Sequence, residues 1–366
     1  MKNTTLLLAL ATSLALASCS EDEPVSVNKG ESISFRPAMG MASRATETTN
    51  SNLSKIMVTA LEGNSQYFTD LAYVKGSDGF FVSDPAYYWP GDDSELTFYS
   101  YAPTMDELGG DITINSSEKK LKDYQIAEDV ADQVDFITAK GTGKKSVNET
   151  AGLELTFGHR LSQIELRAKS DNAAYTFKVA GMRIGRAQFM GTYDFDTNEW
   201  TLDDWHDTAV YTSSCDTVTL ASTPVSIMGK SGNAMLMPQT LASPWSPKND
   251  PDNVARGSYL SVLVQITTKD GARVYPFPSD SQKDDKGNLR QFAWTSVPLS
   301  GTWEQGKKYV YTLDFTEGAG NVDPDDPLPG TSVLGDAIKF TVNVENWTET
   351  DIPISEKPQE GPNYSK

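Results

Sequence analysis

Ile338-Lys339-Phe340-Thr341-Val342-Asn343-Val344 puts an apolar residue at every second position and a polar one between. Side chains on an extended chain point alternately to opposite faces, so this spelling predicts a strand with one apolar face. The same period of two recurs at Ser32–Phe35, Ile56–Leu61, Leu96–Tyr101, Leu153–Phe157, Gln163–Arg167, Leu260–Ile266 and Tyr309–Leu313. These runs favour β-branched and aromatic residues, and turn-forming clusters such as Trp89-Pro90-Gly91-Asp92-Asp93 separate them. No long segment carries apolar residues at helical spacing. The pattern predicts an all-β chain built from sandwiches.

Composition narrows the partners. The 366 residues suit two ordinary domains or one large β domain. Thirty-one basic residues against 50 acidic ones give a formal charge of −19. No nucleic-acid partner is expected on this count, and anionic membrane surfaces are disfavoured, because phosphate binding needs clustered Lys and Arg. A solvated extracellular surface fits the charge.

The N-terminus has the three parts of a secretory signal: Lys2, an apolar run from Leu6 to Leu16, and the small residues Ala17 and Ser18. The run is shorter than the ~20 residues of a membrane span. Leu16-Ala17-Ser18-Cys19 resembles the lipobox of bacterial lipoproteins. That resemblance implies that Cys19 carries a diacylglycerol thioether and fatty acyl chains such as palmitate, and becomes the N-terminus after residues 1–18 are removed. An ordinary cleaved signal with an incidental cysteine is the alternative. Ser20-Glu21-Asp22-Glu23 resembles the acidic tag of surface-exposed outer-membrane lipoproteins, though an acidic tether is also simply soluble. With Cys19 acylated, Cys215 is the one remaining thiol, so no disulfide framework is available.

Three segments read as linkers or loops. Met41 to Asn52 is small and polar, Pro244 to Asn253 is a long loop, and Gly318 to Gly330 is stiff, acidic and unable to form a strand. The last isolates the strand at Ile338–Val344 from the rest of the second half.

Taken in order along the chain, the motifs resemble the fimbrillin family of type V pilus subunits. The resemblance rests on the lipobox, the strand at Ser32–Phe35 and Ser43-Arg44-Ala45-Thr46. It continues through Tyr87-Tyr88-Trp89-Pro90, Leu96–Pro103 and Leu155–Ser162. Leu236–Leu241, Trp303–Tyr311 and the closing strand with Trp347 complete it. It implies two transthyretin-like β-sandwich domains in tandem, export as a lipoprotein, trimming at an arginine and assembly by strand donation. The expected layout is a signal peptide (1–18), a lipidated propeptide with a plug strand (19–44), two sandwiches (45–158 and 159–330) and a C-terminal donor segment (331–366). Trimming is expected after Arg44, leaving Ala45 first. Arg36 is a second basic site, but Pro37 follows it, which most trypsin-like proteases cut poorly.

The physics of strand donation agrees. A sandwich missing a strand exposes unpaired backbone groups and apolar pockets, and a strand from another chain can fill them. The plug would be Ser32–Phe35, with Ile33 and Phe35 inward. The donor would be Ile338 to Ile354, with Ile338, Phe340, Val342 and Val344 on one face. The alternative is that both segments are permanent edge strands. Other pilin subunits are the expected partners, and the outer membrane is one through the lipid before maturation.

Catalytic and metal signatures are weak. His159 reads as a structural hydrogen-bonding residue, and Asp203-Asp204-Trp205-His206-Asp207 as a loop rather than a zinc site. Lys140–Lys145 lacks the leading Gly and the Ser/Thr of a phosphate loop. Asp194–Asn198 starts like a calcium loop, but Glu199 stands where Gly is required. Asp323–Asp326 and Asp284-Asp285 read as solvated acids, with weak calcium contact at surface loops as the alternative. No enzymatic activity and no cofactor are expected. A monomeric surface lipoprotein that binds a glycan or a host ligand, using aromatic residues such as Tyr87, Tyr88, Trp89, Trp245, Trp294 and Trp303, is the competing reading.

Overall fold

The computed structural model describes residues 30–38, 48–49, 51–204, 208–247, 251–277, 283 and 286–347. The chain is all-β, as its alternating segments require. In the first half run β1 (Phe35–Ala38), β2 (Lys55–Glu62), β3 (Ser65–Lys75), β4 (Phe81–Ser83), β5 (Leu96–Ala102), β6 (Asp111–Ile114), β7 (Lys119–Gln125), β8 (Ile137–Gly143), β9 (Leu153–Thr156) and β10 (Gly158–His159). Eight of these form one sheet in the order β10-β8-β5-β2-β3-β4-β1-β9. The sheet folds back on itself, so β9 lies against β8. A side-chain carbon at Gly141 would come 2.9 Å from Leu155 and 3.5 Å from Leu153, and glycine there permits the close approach. Ile33, Phe35, Ile56, Val58, Tyr73, Phe81, Phe98 and Leu155 fill the interior.

The second half runs through β11 (Ser162–Lys169), β12 (Tyr175–Gln188), β13 (Met190–Asp194), β14 (Glu199–Leu202), β15 (Thr208–Thr219), β16 (Val225–Ser226), β17 (Ala234–Leu236) and β18 (Gln239–Thr240). It continues with β19 (Tyr259–Thr268), β20 (Arg273–Tyr275), β21 (Ala293–Pro298), β22 (Thr302–Trp303), β23 (Lys307–Asp314), β24 (Asn321–Val322) and β25 (Lys339–Asn346). One sheet has the order β15-β12-β19-β21-β24, with β20 beside β19. The facing sheet has the order β16-β11-β23-β25, with β17 beside β11. Alternate positions on β11 and β23 point inward. Ile164, Leu166, Tyr309, Tyr311 and Leu313 join Phe177, Val179, Met182, Val262 and Val264 in one core.

The two halves are joined by more than the short link from His159 to Ser162. β6 and β7 pair with β13 and β14 in a four-stranded sheet, order β14-β13-β7-β6. Its aromatics interlock: Phe136 meets Tyr193 edge-on at 5.2 Å, and Trp200 lies 5.5 Å from Tyr124. At its rim Asp196 accepts from Tyr99 at 2.6 Å and Lys140 at 2.7 Å, with Lys119 at 3.2 Å. Partial burial pushes the Asp196 carboxyl up, but these three donors together bring it down to about 2. The segment resembling the start of a calcium loop therefore holds lysines.

Candidate strand-exchange elements

β1 is an interior strand. Phe35 faces Phe81 of antiparallel β4, while Phe35–Ala38 runs parallel to β9 with Arg36 opposite Glu154 and Pro37 opposite Leu155. Upstream, the Ile33 N–H donates to the Tyr87 carbonyl at 2.7 Å. The carbonyls of Ser34 and Ala38 accept from Leu153 and Phe157 at 2.9 Å. Ile33 and Phe35 are wholly buried. The Phe35 ring stands edge-on to Tyr73 at 4.7 Å and to Phe98 at 5.1 Å. The plug expected at Ser32–Phe35 is thus paired further than its spelling suggested, through Ala38. The ladder draws on the carbonyls of Ser34 and Ala38, so the missing N–H of Pro37 breaks nothing. Withdrawing this segment would strip Tyr73, Phe81 and Phe98 of their cover and leave β4 and β9 with unpaired edges.

β25 is the opposite case. It pairs antiparallel with β23 over its whole length, from Lys339↔Asp314 to Asn346↔Lys307. Its other edge ends the sheet. Of the four apolar residues expected to share a buried face, Ile338 is buried and Phe340 is half-buried beside Tyr311, ring centres 6.0 Å apart. Val342 and Val344 are 47% and 51% exposed. The alternation therefore describes a face that its own sheet covers only at one end. Rim contacts add Lys307 to Asn346 at 2.5 Å and Lys339 to Glu317. Beyond the strand Trp347 is buried, its backbone N–H donating to the Gly306 carbonyl at 2.8 Å.

The acidic connector departs from expectation. Read as unable to join a sheet, it supplies β24, in which Asn321 and Val322 pair with Ser296 and Thr295. Ala319, Val322 and Asp323 are fully buried. Asp323 accepts from the hydroxyls of Ser261 and Ser296, with Arg183 at 3.6 Å. Burial pushes its carboxyl above the usual range, against the pull of Ser261 and Arg183. Asp325 holds Arg186 and Tyr259, and Asp326 holds Arg290 at 3.0 Å. Arginines distant in the sequence neutralise the acids, so the run docks instead of remaining solvated. Between buried Val333 and buried Ile338 a short stretch leads into β25, and the Leu334 carbonyl ties it back to the Ala319 N–H at 2.8 Å.

At the junction of the halves, His159 is buried and its Nδ1 lies 3.0 Å from both carboxylate oxygens of Asp135. The Thr48 N–H donates to Asp135 Oδ2 at 2.8 Å. The His159 ring stacks on Trp347, ring centres 4.1 Å apart and 6° from parallel. His159 is the structural residue expected. Asp135 was not legible, since its partners stand 87 and 24 positions away.

Cys19, Arg44, Ala45, Ile354, His206 and Asp284-Asp285 lie outside the described residues. Among the described residues no cluster of three or more His, Cys, Asp or Glu is arranged to hold a metal. Trp89, Trp245 and Trp303 are buried, and Trp294 is covered by the Arg183 guanidinium at 4.0 Å. These rings serve packing.

Residues 43–347 match the model of a family described as fimbrillin-like. Among solved structures the chain is similar to a fimbrial protein from Bacteroides vulgatus, at 14% identity over 87% of this chain and 99% of that one, TM-score 0.53. It is also similar to candidate cell adhesion proteins from Bacteroides uniformis (14% identity, 88% of this chain, 99% of that one, TM-score 0.50) and Bacteroides ovatus (15%, 88%, 99%, 0.50). At such identities the likeness speaks for the fold. No curated protein matches. A family match spanning most of the chain, over an all-β fold with a buried first strand and a bare last one, places the protein: the chain belongs to the fimbrillin-like family.

Proposed function

We propose that the chain is a structural subunit of a cell-surface fimbrium, exported as an outer-membrane lipoprotein through Cys19 and trimmed after Arg44. In this reading it comprises two tandem transthyretin-like sandwiches, 45–158 and 159–330. Trimming releases the plug that contains Ile33 and Phe35. The segment from Ile338 to Ile354 of another subunit then enters the vacated groove, with Phe340, Val342 and Val344 taking buried positions. The single observation that carries this reading is the mismatch between the two strands. β1 fills an interior position of its sheet, while β25 carries an apolar face that its own sheet covers only at one end.

The energetics point the same way. Fully burying a Val or Phe side chain is worth about 1.5–3 kcal/mol. Val342 and Val344 already realise half of that, so transfer gains on the order of 1 kcal/mol each. β25 is also already ordered, so exchange avoids most of the ~1–2 kcal/mol per residue of fixing a free strand. Arg36 is a poor trimming site because its backbone is paired with Glu154 of β9, where a protease needs local unfolding to reach it.

The test combines both ends of the molecule. N-terminal sequencing of surface-extracted protein should return Ala45, and the trimmed protein should form ladders on a gel. Protein ending at Leu334 should trim equally well and remain monomeric. Fibres formed without the C-terminal strand would sink the donor assignment, and recovery of Cys19 as the sole N-terminus would favour a monomeric lipoprotein.

A further inference from the structure

Donor exchange requires that β25 leave its own sheet, so some contact must hold it there beforehand. The backbone ladder to β23 can re-form on another strand edge, and Val342 and Val344 hold little. Directly after the strand, Trp347 is buried. Its indole lies flat on His159 and is 5% exposed. Its ring N–H is buried without an acceptor among the described residues. The stacked contact therefore holds the strand.

The ring it rests on is not free to turn. Asp135 accepts at His159 Nδ1 and fixes the plane on which the indole stacks. The same carboxylate takes the Thr48 N–H, and Thr48 stands four positions after Arg44. One buried acid thus touches the start of the trimmed chain and the residue beneath the latch.

We propose that Trp347 stacked on His159 is the latch that keeps the C-terminal strand on its own sheet, and that Asp135 ties this latch to Thr48. Loss of the Thr48 bond loosens the His159 ring and favours release, and by linkage release of the strand weakens the hold on Thr48. The proposal rests on the strand-donation reading for its purpose, but not for its test.

Amide hydrogen exchange of β25 in the full, untrimmed chain reads the latch without any assembly. Trp347→Ala should speed exchange of the β25 amides by roughly tenfold or more, as expected for truncating a buried aromatic, and leave the β12 amides unchanged. Asp135→Asn and Thr48→Pro should speed β25 in the same direction by less. Thr48→Pro removes the donor from a half-buried position and carries the linkage test if Asp135→Asn disturbs β12. Unchanged β25 exchange in Trp347→Ala overturns the latch. Acceleration in Trp347→Ala but not in Thr48→Pro overturns the tie to Thr48. If β25 loosens in all three while trimmed subunits assemble no faster, the latch stands and the strand-donation reading fails.

Discussion

Phe35 and Phe340 each sit in a short alternating strand near one end of the chain, and their surroundings differ sharply. Phe35 is wholly buried against Tyr73 and Phe98, in a strand paired on both sides. Phe340 is half-buried, meets Tyr311 across 6.0 Å, and belongs to a strand paired on one side. Alternation reports that a strand has an apolar face; it does not report whether the folded chain covers it. A strand paired on both sides gives up two ladders on leaving, whereas one paired on a single side gives up one. The asymmetry supports the proposal that the first strand is removed and the last one donated.

The largest test of this contrast is truncation at the two phenylalanines. Phe35→Ala should destabilise the first-half core by about 3–5 kcal/mol in denaturant unfolding, as expected for a buried aromatic. Phe340→Ala should stay near ~1 kcal/mol, in line with its partial burial. Equal losses at the two positions would dissolve the contrast.

A second prediction asks how firmly the connector limits the reach of β25. Asp323→Ala removes a buried acceptor of Ser261, Ser296 and Arg183, and should cost about 1–3 kcal/mol. Hydrogen exchange at Asn321 and Val322 should quicken with it. If the connector amides keep their protection, the docked acid is not what holds them.

A smaller effect is expected from acid. The Asp196 carboxyl is held down to about 2 by Lys140, Tyr99 and Lys119 across the rim of the joining sheet. A depressed folded-state value gives a contribution that is full above the unfolded carboxylate range and is lost as pH falls toward 2. Between about pH 4 and 2, Asp196→Asn should therefore show a shallower loss of stability than the parent. The site is solvent-exposed and screened, so the difference should stay below ~1 kcal/mol. Identical acid profiles would remove this clamp from the account.

The smallest change in stability should come from Val342→Thr and Val344→Thr, which remove half-exposed apolar surface and should stay within about 0.5 kcal/mol. Assembly of trimmed protein carrying both should nevertheless fall clearly, because the donor groove would receive two hydroxyls. A large loss of subunit stability would show that β25 belongs permanently to its own sheet.

Much of the fold was legible in one dimension because strand formation follows a local period. Ile56–Leu61, Leu96–Tyr101, Leu260–Ile266 and Tyr309–Leu313 all lie within observed strands. The differences lie where distant partners decide. Alternation in the first strand stops at Phe35, yet pairing with β9 carries it past Pro37 to Ala38. The acids of Gly318–Gly330 spell a solvated run, yet three arginines receive them.

By itself the sequence determined the β-class, the places of several strands and the apolar face of the last one, since each depends on neighbours one or two positions apart. Tertiary structure decided the rest: that β1 is interior and β25 bare, that Asp323 is buried, and that Asp135 joins Thr48 to the histidine beneath Trp347. Those facts depend on which distant segments the sheets bring together, and neither alternation nor composition carries that information.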